Sequence, residues 1–238
     1  MSYISCTNIT KSFGKNKVLD GISLSIEKGE IFGLIGPSGC GKSTLMKIIL
    51  GILQADSGTI SIEGENLSKN TSKIKKLVGY TTQENSFYEK LTIAENMKYY
   101  SNLYGLYPKE DYIDNILKDV ELLKHKKSLA GNISGGMKRR LDFAISLIHD
   151  PKILILDEPT TGLDPLLVEQ FWAVVQKTAA KGKTVIVTSH IFSEIDANVN
   201  KVGIMNKGKF AKIIDLDKLK KSKENHDLLA IFKQAVQK

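Results

Sequence analysis

"GPSGCGKST", residues 36 to 44, follows a short apolar run and leads into an amphipathic stretch, and its spacing fits G-x-x-x-x-G-K-[ST]. Gly36, Gly39 and Gly41 let successive backbone N–H groups turn inward around a phosphate, with Pro37, Ser38 and Cys40 between them and Thr44 closing the pattern. The following helix adds its dipole, Lys42 supplies a point charge between the β- and γ-phosphates, and the Ser43 hydroxyl can ligate Mg²⁺. "ILILDEP" at 153 to 159 is the second such stretch. Four apolar residues make a buried strand that delivers Asp157 and Glu158 at its C-terminal end, where open parallel sheets bind ligands. Asp157 can hold Mg²⁺ through water, and Glu158 can polarise a water aligned on the γ-phosphorus.

"LAGNISGGMKRR" at 129 to 140 is of another kind. It places a hydroxyl and two glycines at a helix start and Lys138, Arg139 and Arg140 in the first turns, at the end whose partial charge is already positive. Either an anion resolves the conflict, or Ser134 is only a cap and the cations pair with carboxylates from elsewhere in the chain.

The elements around these stretches fall into three blocks. From Tyr3 to Ile35, "YISCTNIT", "ISLSI" and "IFGLIG" read as strands; a helix from the glycine loop stops at Gly51, and "GTISIEG" and "LVGYTTQ" return to strand. After Gln83 the chain reads as helical, with Thr92 and Glu95 spaced as a capping box, Pro108 where a second helix would begin, and Met137, Leu141, Ile145 and Ile148 along one face. Beyond Asp150, strands alternate with helices: "KILILD", a helix from Pro165 capped by Asp164 and ended by Gly182, "KTVIVTS", a short helix and two strands through Ile214. That alternation implies a mostly parallel sheet covered on both faces. Leu228, Ile231, Phe232, Ala235 and Val236 make a last amphipathic helix in a Lys-rich tail, placed to dock on the domain or meet a partner.

Composition narrows the class. The 238 residues are 42% hydrophobic and 25% charged, which excludes disorder and collagen-like repeats. Cys6 and Cys40 form neither a thiolate metal cluster nor a disulfide framework, and no apolar run is long enough to span a bilayer, so the chain reads as soluble. Thirty-four Lys and Arg against 26 Asp and Glu give a net charge of +8, open to an anionic ligand, nucleic acid or a membrane surface. No aromatic platform is interleaved with the basic residues, so no specific nucleic acid is expected.

With the glycine loop and "ILILDEP", Gln83 in "YTTQE", "ISGGM" at 133 to 137, "TTGLDP" at 160 to 165 and His190 in "VTSH" occur in an order that resembles the ATP-binding cassette (ABC) family over residues 1 to 215. The resemblance implies a P-loop NTPase core with a mostly parallel sheet, an N-terminal antiparallel β portion and a helical subdomain inserted near 84 to 149, followed by the basic tail at 216 to 238. It also implies ATP hydrolysis with Mg²⁺ between two copies of the chain or homologous subunits, driving a membrane permease on a separate chain from the cytoplasmic face of the membrane. By the same resemblance Ser134, Gly135 and Gly136 contact the ATP held by the partner's phosphate loop, which would be the missing anion, and Asp164 lies at the same interface. Gln83 would sense Mg²⁺ and the attacking water, His190 the γ-phosphate, and Phe13 in "ITKSFG" the adenine face.

"SGGMKRRL" and "LTIAENMKYYSNLYGL" are similar to multidrug and ABC-2 type exporters, although Met137 stands where the family most often has Gln and cannot close a capping box with Ser134. Phe87, Tyr88, Tyr99 and Tyr100 are candidate permease contacts or packing residues. A soluble cassette acting on ribosomes or nucleic acid is the main rival, and a non-hydrolysing regulatory cassette is opposed by Glu158 and His190.

Overall fold

The computed structural model describes residues 2–68, 74–82, 84–222 and 227–237. Strands β1 (Ile4–Phe13), β2 (Asn16–Ile26), β4 (Ser57–Ile62) and β5 (Glu65–Asn66) form an antiparallel sheet ordered β2-β1-β4-β5. A second sheet runs β10-β9-β3-β8-β7-β6, from β3 (Ile31–Ile35), β6 (Val78–Thr81), β7 (Ile153–Asp157), β8 (Thr184–Thr188), β9 (Lys201–Asn206) and β10 (Lys209–Asp215). Every pairing in it is parallel except that of the edge strand β10.

A parallel sheet buries both faces, and β7 shows how its sequence meets that demand. Ile153 and Ile155 pack toward the antiparallel sheet and helix α1 (Lys42–Ile49), while Leu154 and Leu156 pack toward the helices on the other side. Ile186 of β8 joins the first set, and Val185 and Val187 the second. A period-2 backbone thus turns a continuous apolar run into two interfaces.

The middle block is helical. Helix α2 (Ile93–Leu103) opens on the expected capping box: Glu95 N–H donates to Thr92 Oγ1 at 3.2 Å, and Thr92 N–H to Glu95 Oε2 at 2.7 Å. Helix α3 (Glu110–Asp119) begins two residues after Pro108 rather than at it, with Lys109 as N-cap and the acidic Glu110 and Asp111 in the first turn. Helix α4 (Gly135–Leu147) packs Leu141, Phe143 and Ile145 into the same core as Ile93, Met97 and Leu117.

Helix α5 (Pro165–Ala180) is capped by Asp164, whose Oδ1 accepts Leu167 N–H at 3.0 Å. Helix α6 (Phe192–Asn198) follows β8, and α7 (Leu216–Lys221) follows β10. Helix α8 (Leu228–Val236) docks on the domain: Leu228 is buried, Phe232 meets Phe192 with ring centroids 4.7 Å apart, and Asn206 Nδ2 donates to Val236 O at 3.1 Å. Among the described residues no helix is long and apolar enough to cross a membrane.

Candidate functional site

Four neighbouring strands, β3-β8-β7-β6, run parallel, so their C-terminal ends share one edge. With strands about 4.8 Å apart, that edge gathers segments distant in sequence. Gly36–Gly41 follow β3, His190 follows β8, Asp157 ends β7 with Glu158 next, and Thr82 follows β6. Gln83 lies outside the described residues.

The glycine loop is built for close approach. A Cβ at Gly36 would lie 2.5 Å from Met205 O and 2.6 Å from Cys40 Sγ, so only glycine fits against the backbone of β9. Gly41 caps α1 at φ +110°, a conformation L side chains rarely adopt. Among the described residues no side chain caps α1, which leaves its first-turn N–H groups available to an anion. Lys42 Nζ donates to Gly36 O at 2.7 Å and Pro37 O at 3.2 Å, two of its three protons, so the ammonium sits over the loop with one donor to spare. Ser43 is exposed. These features fit a nucleotide's phosphates, and the oxygen donors of Ser43 and Asp157 fit a hard divalent cation such as Mg²⁺.

The acid pair is held from β8 by a residue the sequence did not single out. Thr188 Oγ1 donates to Asp157 Oδ1 at 2.5 Å and accepts Glu158 N–H at 2.9 Å. Glu158 adopts φ +47°, unusual for a non-glycine residue, and this contact helps hold it there. Tyr80 OH approaches Asp157 Oδ2 at 3.5 Å; burial first, and then the Asp157 charge, push the phenol up to about 12, so it remains a donor at neutral pH. His190 is exposed, with Nδ1 3.5 Å from Glu158 Oε2. The signal for Thr188 was a polar residue closing the apolar run "TVIV" at the ligand-binding end of a parallel strand.

Ser134, Gly135 and Gly136 lie elsewhere. Ser134 Oγ accepts Met137 N–H at 3.3 Å, and a Cβ at Gly136 would stand 2.7 Å from Leu167 Cδ2, so this turn abuts the helix capped by Asp164. Among the described residues no hydrogen bond or ion pair joins Ser134–Gly136 to residues 36–44. The three cations have partners inside the chain, so their charge does not by itself call for an anion. Lys138 meets Glu89 at 3.4 Å, Arg140 meets Glu121 at 2.9 Å, and buried Arg139 donates to Thr82 O at 3.1 Å.

Phe13 ends β1 with half its surface exposed, so it is not core, and Lys11 Nζ stands 5.7 Å from its ring centroid. Phe87 is buried and packs in the core, whereas Tyr88 and Tyr99 are exposed, share a 3.1 Å hydroxyl contact and pack edge to face. Tyr100 is half-buried, its hydroxyl on Ser86 O.

A glycine cradle after β3 leading into a helix without a side-chain cap, with two carboxylates at the end of β7, the parallel strand one removed across β8, defines a nucleotide-hydrolase site of the P-loop kind. Residues 19–161 match the ABC transporter family model. The chain is 38% identical to the bacitracin transport ATP-binding protein of Bacillus licheniformis over 92% of its own length and 71% of that protein's. It is 34% identical to a Nod factor export ATP-binding protein of Rhizobium, over 87% of this chain and 68% of that one. Among solved structures, the ADP conformation of an ATP-binding cassette of an ABC transporter superposes with a TM-score of 0.86 at 26% identity, covering 98% of both chains. The chain belongs to the ABC transporter family; it is an ATP-binding and ATP-hydrolysing subunit.

Proposed function

We propose that two copies of the chain close around two Mg-ATP, that hydrolysis reopens them, and that a separate membrane permease converts this motion into export. The reading puts the subunit at the cytoplasmic face of the membrane, with no specific nucleic acid as partner. One observation carries it: Ser134–Gly136 sit beside the Asp164-capped helix and, among the described residues, make no hydrogen bond or ion pair to the phosphate loop of their own chain, so a second subunit would be needed to bring the two halves together. The N–H groups of Gly135 and Gly136 open out of the end of α4, where a γ-phosphate would find donors. Export is supported by the relatives, one a bacitracin transport and one a Nod factor export protein.

Within each site, bound Mg²⁺ would neutralise charge on the β- and γ-phosphates, with Ser43 and Asp157 as its protein donors. Lys42 and the α1 N–H groups bind the phosphates; Thr188 orients Asp157 and Glu158; Glu158 takes a proton from the attacking water; His190 contacts the γ-phosphate; Phe13 packs on the adenine. The exposed Tyr88 and Tyr99 are the permease contacts in this reading, and Phe87 is not.

Mixing two inactive variants, Lys42→Ala and Ser134→Arg, tests it. A heterodimer collects both lesions in one site and leaves the other intact, so random mixing should restore roughly a quarter of the sites. No rescue, in a sample where ATP-bound heterodimers are seen by mass, would count against shared, independent sites. Assays with nucleic acid and with permease-bearing membranes separate the transporter from the soluble rival.

A further inference from the structure

Glu194 lies in the first turn of α6, four residues beyond His190, and is buried. Its Oε2 accepts two hydrogen bonds, from Thr160 Oγ1 at 2.7 Å and from Trp172 Nε1 at 3.0 Å. Thr160 follows Glu158 by two residues and precedes Asp164 by four, and Trp172 belongs to the helix that Asp164 caps. One carboxyl oxygen therefore joins three segments: the loop leading away from Glu158, helix α5, and the helix behind His190. Both donors are buried as well, so neither would find water if the acceptor were removed.

The connection forms a closed ring. From Glu158 the chain runs through Pro159 to Thr160, crosses to Glu194, returns through α6 to His190, and closes on Glu158 at 3.5 Å. Helix α6 is fixed at two further points. Ile195 lies so close to β3 that a Cβ at Gly33 would be 3.1 Å from its Cγ2, and Gln176 of α5 donates to Asn198 Oδ1 at 2.8 Å. A displacement of the Thr160–Asp164 loop therefore acts on α6, and so on His190, through Glu194.

We infer that Glu194 is a positioning residue for ATP hydrolysis: it sets the relation of Glu158 to His190 from outside the site and ties both to the Asp164 loop. The inference rests on the reading of Glu158 and His190 proposed above.

The test uses the full chain, ATPase kinetics, and the emission of Trp172, the one tryptophan in the sequence. Glu194→Ala should lower kcat by about tenfold or more while KM for ATP stays within about twofold, because the phosphate loop is untouched. It should also change the emission of Trp172, whose N–H loses its acceptor. Glu194→Gln keeps an acceptor oxygen and should restore kcat to within about threefold and the emission to that of the wild type. Should Glu194→Ala fail to fold, Thr160→Val removes one arm of the junction and should give a smaller loss, again in kcat. A folded Glu194→Ala with wild-type kcat, or equal kcat losses in the Ala and Gln variants, would overturn the inference. Glu158→Gln separates the two levels: if it arrests hydrolysis while Glu194→Ala does not, only the positioning role falls. If Glu158→Gln turns over normally, the underlying site reading falls and takes this role with it.

Discussion

Thr188 Oγ1 donates to Asp157 Oδ1 at 2.5 Å, so a hydroxyl from one strand fixes the acid at the end of its neighbour. The same oxygen accepts the N–H of Glu158, whose φ of +47° requires support. Thr188→Val keeps the shape and loses both contacts. The expected cost is about 1–3 kcal/mol in stability, chiefly from the Asp157 carboxylate oxygen left short of a donor, since the Glu158 N–H keeps the Thr188 carbonyl at 3.2 Å. A fall in kcat larger than the rise in KM for ATP should accompany it, measured by urea melts and steady-state kinetics. Unchanged kcat at that stability loss would show that the hydroxyl serves only the fold.

Gly36→Ala tests the cradle. The added Cβ meets a backbone carbonyl, Met205 O, at 2.5 Å, and backbone cannot yield as a side-chain tip can. Overpacking of this kind costs about 1–3 kcal/mol and should displace the loop from β9. Binding of a fluorescent ATP analogue should weaken by more than the loss of stability accounts for. Wild-type affinity would show that the loop accommodates the methyl without altering its donors.

Phe13 is half exposed, so Phe13→Ala should leave the melting temperature nearly unchanged. Loss of a stacking face is worth about 1–3 kcal/mol, which predicts a KM for ATP raised by tenfold or so at constant kcat. GTP should suffer similarly, since stacking discriminates weakly between bases. An unaltered KM would place the adenine elsewhere.

Lys138 is paired with Glu89 at the surface, and the pair is worth under about 1 kcal/mol. Lys138→Gln should therefore change stability little and leave ATP-driven dimerisation intact, read by size-exclusion chromatography on the Glu158→Gln background. Loss of dimerisation would restore the idea that this charge serves a nucleotide.

The cysteines supply a pH test. Burial pushes the Cys6 thiol from 9.0 up to about 12, and burial likewise raises Cys40, against the pull of Lys42. The folded chain thus keeps the Cys6 proton at pH values where the unfolded chain has lost it. The corresponding stability is intact below pH 9 and declines as pH rises toward 12. At pH 8 the folded Cys6 holds about a thousandfold less thiolate than the denatured one, so iodoacetamide should label it only after unfolding. Cys40 lies behind Gly36, and its labelling should wait on loop opening and slow further with ATP. Rapid native labelling of Cys6 would contradict its burial.

The local pieces of this protein are legible in its sequence because their causes are local. Glycines mark the loop at 36 to 41, "ILILDEP" carries its own strand and acids, and Thr92, Ser134 and Asp164 announce their helices because an N-cap bonds within its own first turn. The alternation of strand and helix beyond Asp150 likewise implied the parallel sheet that β3, β8, β7 and β6 form. Tertiary structure decided what required residues far apart to meet. The cations after Ser134 look unpaired along the chain, yet Glu89 and Glu121 reach two of them and Thr82 O the third. Thr188 stands inside "VTSH" without its role being legible there, and Glu194 lies outside every quoted stretch; their roles arise because strand order puts β8 beside β7, and because a buried oxygen must take whichever donors the fold brings to it.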